Sequence, residues 1–323
     1  MKKFLSLVLI AALALSVAVL TGCGGGSLKF GTGVYVYVES ASDATADEDG
    51  AANVVVTVAA VLVDANGKIV KAKIDVLDAA VNYTASGAAV PAGELISKYE
   101  QGDNYNMVEY GGSVGEWYQE ADAFCSAIAG KTISEVKGMV VNGKGNDDII
   151  NAGCTIYVSD FVKAIEKAVA NASDSRATKN ATLSIGMVGS ADGSNATATE
   201  EGTQKVEIYA TGVALDASGK VITATSECVA TDFTFNNVGK AGEYTLTDKR
   251  AAGDDYNMVE YGGSVGEWYQ EADALDALME GKTADEISAL MASDYKGTEE
   301  VQNAGCTIYV SGLIGAAVKA ATV

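Results

Sequence analysis

β-Branched and aromatic residues set a recurring pattern over Val34-Tyr35-Val36-Tyr37-Val38 and Val54 to Val63, and again over Val206 to Leu215. Period two is the pattern of strands, whose successive side chains point to opposite faces. Asp64-Ala65-Asn66-Gly67 and Asp216-Ala217-Ser218-Gly219 then lead into Lys68-Ile69-Val70 and Lys220-Val221-Ile222. Asp, Asn and Gly are tight-turn residues, so each arrangement predicts an antiparallel hairpin. A third strand is expected over Ile74 to Tyr83 and over Ser226 to Phe235, each running into a polar loop.

From Glu116 the period becomes helical. Trp117, Ala121, Phe124 and Ile128 share one face, as do Trp268, Ala272, Leu275 and Met279, while Glu116 and Glu120, one turn apart, are read as a solvated face. Gly130 and Gly281 stand where a helix end favours a left-handed residue. Thr132-Ile133-Ser134-Glu135 and Thr283-Ala284-Asp285-Glu286 fit the capping box and start a second short helix. A short strand over Cys154 to Val158 and amphipathic helices over Asp160 to Val169 and Gly312 to Val323 complete the pattern.

The pattern occurs twice because the chain repeats itself. Tyr105 to Ala123 and Tyr256 to Ala274 both read YNMVEYGGSVGEWYQEADA, and Asn151 to Ser159 (NAGCTIYVS) returns as Asn303 to Ser311. The spacing matches the size of one domain and exceeds that of a solenoid unit. The sequence therefore predicts an α+β fold of two homologous domains, 31–170 and 183–323, each a mainly antiparallel sheet with helices packed on one face. The small, polar stretch 171–182 is the expected linker. Equivalent chemistry is expected at two places, and the identity of Glu109, Tyr110, Ser113 and Glu116 with their counterparts suggests that the shared segment is functional.

Met1-Lys2-Lys3, the apolar run Phe4 to Val19 and the tetrad Leu20-Thr21-Gly22-Cys23 form an export signal over 1–22. The tetrad resembles the bacterial lipobox, which implies lipidation of Cys23 and anchoring to the outer face of the cell membrane. Residues 23–30, with Gly24-Gly25-Gly26-Ser27, would be the tether. The chain has 43 acidic and 22 basic residues and no histidine. The acidity argues against nucleic acid as a partner. Without histidine there is no serine–histidine hydrolase and no zinc or haem site of the usual kind. No metal is expected, since the acidic stretches lack the ligand spacing of an EF-hand. Cys125, Cys154, Cys228 and Cys306 are expected as buried thiols.

The loop Gly111-Gly112-Ser113-Val114-Gly115 opens onto a helix, where amides could receive a phosphate or carboxylate and aromatic faces could meet a ring. The candidates are Gly112, Gly115, Trp117 and Tyr118, with Gly263, Gly266, Trp268 and Tyr269; the competing reading is a tight turn with tryptophan as core anchor. The layout resembles the FMN-binding domain of membrane flavoprotein subunits and tandem-domain surface lipoproteins of Gram-positive bacteria. The likeness rests on Asn66-Gly67-Lys68-Ile69 and Ser218-Gly219-Lys220-Val221, and on Ala152-Gly153-Cys154-Thr155 and Ala304-Gly305-Cys306-Thr307, which match a turn and an S-G-A-T segment of that family. The resemblance implies FMN as cofactor, Thr155 and Thr307 as attachment points, and Gly153 and Gly305 beside them. Alanine and cysteine replace the family serine and alanine, and Ile149 and Val301 stand at the family aspartate. Covalent and reversible binding both stay open. The implied role is electron transfer at the cell surface with a membrane redox donor, by a carrier rather than a catalyst. The alternative is a surface lipoprotein that has lost the cofactor and binds another ligand or partner.

Overall fold

In the computed structural model, which describes residues 26–322, the alternating runs become long antiparallel strands. The first half contains β1 (Lys29–Ser42), β2 (Gly50–Val63) and β3 (Ile69–Tyr83). The second contains β4 (Thr182–Ser194), β5 (Gly202–Leu215), β6 (Val221–Phe235) and β7 (Ala241–Asp248). The export signal and Cys23 lie outside the described residues. The hairpin turns form as their residues predict. Asp64 Oδ1 accepts from the amides of Asn66 and Lys68 and Gly67 takes φ 75°, while Asp216 accepts from Ser218 and Lys220.

Three local expectations change. Lys68-Ile69-Val70 and Ile74 to Tyr83 belong to one strand, β3, apart from its first residue. The polar loop of the second half is the edge strand β7, paired with β6, where the first half has only Ala89–Val90 on β3; Tyr244 and Leu246 of β7 are exposed, so no buried face marks the strand. Cys154 to Val158 is not a strand. It makes a single bridge, Lys144 to Tyr157, because a buried carboxylate takes its amides.

The helices follow in each half. They include α1 (Met107–Gly111), α2 (Trp117–Ala127), α3 (Ile133–Gly138) and α4 (Ser159–Ala170), then α5 (Met258–Gly262), α6 (Trp268–Met279), α7 (Ala284–Ser288) and α8 (Ser311–Ala321), besides short helices at Lys98–Gln101, Asp147–Asn151, Lys249–Ala252 and Glu299–Asn303. Both capping boxes at Thr132 and Thr283 are present, and Gly130 and Gly281 have φ 80° and 78°. Each sheet buries one face under its helices. The closing helix comes close enough that a methyl group on Gly33 would overlap the backbone of Ala164 and Ala168, and one on Gly186 that of Ala316 and Ala320.

The other faces pack on each other. Val34, Val54, Val56 and Leu77 of the first sheet meet Met187, Val206, Ile208 and Phe233 of the second in one cluster. The protein is thus a four-layer stack of helices, sheet, sheet and helices, an α+β fold whose halves share a core. Contacts between the halves are reciprocal, as in a two-fold interface. Ala44 donates to the Gly239 carbonyl and its counterpart Ala196 to that of Gly87, both at 2.7 Å, and the equivalent rings of Tyr83 and Phe235 stack at 4.6 Å. The segment 171–182 is built into the fold. Ser173 and Asp174 pair with Phe30 and Lys29, extending the first sheet, and Ala177 and Ala181 are buried. All four described cysteines are buried and unbridged.

Candidate functional site

The two identical segments meet in space through a buried carboxylate. Glu120 lies three residues after Trp117, inside the core stripe of α2, and is fully buried, which corrects the reading of a solvated face. A buried charge must be paired to be tolerated. Its Oε2 accepts from the Thr155 amide at 2.6 Å, the Thr155 hydroxyl at 2.9 Å and the Ile156 amide at 3.2 Å. In α6, Glu271 repeats this with Thr307 N (2.5 Å), Thr307 Oγ1 (2.9 Å) and Ile308 N (3.1 Å). Charge-assisted bonds of this kind are about twice as strong as neutral ones. Gly153 and Gly305, at φ 107° and 106°, form the turn before each threonine, a backbone conformation that glycine adopts readily. Both candidate attachment hydroxyls are therefore committed to a carboxylate. Glu271 Oε1 has no hydrogen-bond partner.

The glycine loop is closed on itself. Glu116 accepts from the amides of Met107 (2.8 Å) and Val108 (3.1 Å) at the start of α1, and its own amide donates to Gln119 Oε1 in a capping box. Glu267 does the same for Met258 and Val259. Gly112 and Gly263 supply the left-handed residue at φ 63° that ends α1 and α5, and Gly115 and Gly266 pass close to the side chains of Gln119 and Gln270. A carboxylate stands at the helix N-terminus, where an anion would have had to dock, and it repels one. Tyr118 and Tyr269 turn away to donate to Asp103 and Asp254, both at 3.1 Å. Trp117 is a core anchor, edge-on to Phe161 at 5.7 Å. Tyr110 and Tyr261 are 82% and 81% exposed, and packing gives no reason for their identity.

The second half contains a cavity of about 590 Å³ between these elements, walled by Tyr209, Tyr256, Trp268 and Tyr309. Tyr256 and Trp268 come from the long identical segment, and Ile308 and Tyr309 from the short one. Trp268 alone of the expected residues lines it; Gly263, Gly266 and Tyr269 do not, and Thr307 lies one residue before the lining residue Ile308. Two residues not foreseen from sequence give the cavity its polarity. Lys249 Nζ donates to Glu207 Oε1 at 2.5 Å, and the Tyr209 hydroxyl donates to Glu207 Oε2 at 3.0 Å. The ammonium also lies 5.8 Å from the Tyr256 ring and 5.9 Å from that of Tyr209, within cation–π range. Burial works to lower the Lys249 pKa, but neighbouring groups, including the bonded Glu207 carboxylate, hold it above the ordinary lysine value. Burial pushes the Tyr209 phenol well above its usual range. Lysine, glutamate and tyrosine all occur outside the identical segments, so duplication did not point to them.

The first half departs at the same positions. The close-approach glycines Gly33 and Gly186 align β1 with β4, which places Tyr35 and Tyr37 where the cavity has Val188 and Ser190. Val55 and Thr57 replace Glu207 and Tyr209. Both tyrosines pack against the helix-side core, 6.0 Å apart, and Lys163 donates to the Tyr35 hydroxyl at 2.8 Å. The first half thus sets two aromatic rings at the sheet positions where the second half has Val188 and Ser190. At the cavity mouth Tyr295 has φ 65°, while its counterpart Gly143 has φ 83°; the pairing is fixed by Val310 donating to the Tyr295 carbonyl and Val158 to that of Gly143.

Comparison of the chain with protein-family models, with curated proteins and with solved structures finds no match. Among the described residues there is no cluster of metal-ligating side chains, and no helix is long and apolar enough to cross a membrane.

Proposed function

We propose that the chain is a lipid-anchored, extracytoplasmic binding protein that holds a planar ring reversibly in the pocket of its second half. The observation that carries this reading is the set of five aromatic side chains, Tyr295 at the mouth among them, that line a cavity of about 590 Å³, a size usual for small-molecule sites, which are mostly apolar with a few placed polar groups. Offset or edge-on contacts with such rings add roughly 0.5–1.5 kcal/mol each beyond area burial. A flavin is the ring that the FMN-binding resemblance favours, and it would supply electron transfer, leaving the protein to orient and shield it. Phosphoester attachment through Thr155 or Thr307 fits poorly, because each hydroxyl already donates to Glu120 or Glu271 at 2.9 Å.

Two measurements test this. Protein purified from its native host should show flavin absorption bands, and ring-free protein titrated with riboflavin should show quenching of tryptophan fluorescence, since Trp268 lines the pocket. Val188→Tyr with Ser190→Tyr, the first half's own residues, should weaken riboflavin by at least about 100-fold, equivalent to about 2.7 kcal/mol, with folding retained. A colourless protein that also ignores riboflavin would remove the ring-binding reading.

A further inference from the structure

We propose that this pocket takes one uncharged planar heteroaromatic molecule per chain and discriminates against the same ring carrying a phosphate, because its only lining cation is already neutralised. The inference rests on the ring-binding reading and adds the charge class and the stoichiometry. Among the residues lining the cavity only Lys249 and Glu207 are charged, and they are bonded to each other. An incoming anion would have to take Lys249 from Glu207 and leave that carboxylate held by the Tyr209 hydroxyl alone, without its cation, which opposes anion binding.

The polar groups that remain suit a neutral edge that both donates and accepts. Lys249 and the hydroxyls of Ser190 and Ser311 can donate, and Glu207 can accept. The segments that frame the mouth add repulsion. Asp254, Asp255, Glu260 and Asp294 lie on them, and the chain as a whole carries a formal charge of −21. Arg250 is held by Asp273 and Asp276, and Lys296 lies over the Tyr309 ring at 5.6 Å. The stoichiometry rests on the first half, where Tyr35 and Tyr37 take the sheet positions of Val188 and Ser190 and pack against the helix-side core.

Riboflavin and FMN share one ring system and differ by a phosphate, so their ratio reads the proposal directly. Titrations of the wild-type chain at low and at physiological salt should give one site. Riboflavin should bind about tenfold or more tightly than FMN at low salt, with the gap narrowing as ions screen the acidic surface. Glu207→Gln, which frees the lysine charge, should bring the ratio towards one. FMN binding as tightly as riboflavin, a ratio unmoved by Glu207→Gln, or two sites per chain would overturn this inference and leave ring binding standing. Binding of neither molecule would sink both.

Discussion

The two halves keep the same scaffold and fill it differently. What is identical between them is largely framework: Glu120 and Glu271 tie α2 and α6 to the threonine segments, and Glu116 and Glu267 cap α1 and α5. What differs lies on the sheet face beneath those helices, where Tyr35, Tyr37, Val55 and Thr57 give way to Val188, Ser190, Glu207 and Tyr209. Sequence identity between copies therefore covers the framework and much of the cavity's aromatic wall, and divergence falls on the sheet-face residues beneath it. One half sets Tyr35 and Tyr37 on this face, and the other carries a cavity of about 590 Å³ there.

The largest test of that contrast is the ion cluster next to the open site. Arg250 donates to Asp273 at 2.7 Å, Asp276 at 3.3 Å and the Ser226 carbonyl at 2.6 Å, and lies 3.7 Å from Glu227. The first half has Tyr99 at the arginine position and Cys125 at that of Asp276. Arg250→Met leaves two buried carboxylates without their cation and should cost about 3–5 kcal/mol. Adding Asp276→Cys, which imports the first half's solution, should recover a large part. Urea unfolding at constant slope measures both; a single substitution without effect would mean that the cluster is not needed.

Next in size is the pH response of two equivalent buried acids. Asp75 accepts from Ser97 Oγ at 2.6 Å and the Tyr99 amide at 3.0 Å, and burial pushes its pKa to about 6. Glu227 accepts from Thr32 of the other half at 2.7 Å, and burial pushes it to about 7, against the pull of Arg250. Both values are raised above those of the unfolded chain, so between the two the folded state holds more protons. Stability from these groups is then greatest below about pH 4 and falls as pH rises to about 7, by up to about 3 kcal/mol for each acid. Asp75→Asn should flatten the fall below about pH 6 and Glu227→Gln its extension to about pH 7. Denaturation midpoints between pH 4.5 and 8 decide this, and a profile that both substitutions leave unchanged would contradict it.

Much of this architecture is visible in the residues and some is not, for identifiable reasons. The turns at Asp64 and Asp216, the caps at Thr132 and Thr283 and the helix stops at Gly130 and Gly281 depend on local chemistry, and each forms as that chemistry dictates. Face-to-face packing of the sheets is non-local; the apolar density of Val54 to Val63, buried almost throughout, hinted at cover on both sides. Glu120 reads as solvated when charge is weighed above position, although its spacing from Trp117 and Phe124 puts it on the core stripe. The segment 171–182 looks like a linker by composition, but Ala177 and Ala181 are small enough to be buried under the first strand's start. The pocket was harder still, since Lys249, Glu207 and Tyr209 come from separate elements that only the tertiary fold brings together.

The smallest effect concerns Tyr295. A non-glycine residue at φ 65° pays roughly 1–2 kcal/mol for the left-handed conformation, and the first half avoids that by placing Gly143 there. Tyr295→Gly removes the strain but adds about 0.5–1 kcal/mol of unfolded-chain freedom, so stability should change little. Riboflavin affinity should nevertheless fall about two- to tenfold, the worth of one aromatic contact, because the lost ring stands at the mouth beside Tyr309. Affinity and stability thus separate at this position. If Tyr295→Gly stabilised the protein and left riboflavin binding untouched, the strained tyrosine would have no part in the site, and the contrast between the halves would rest on β4 and β5 alone.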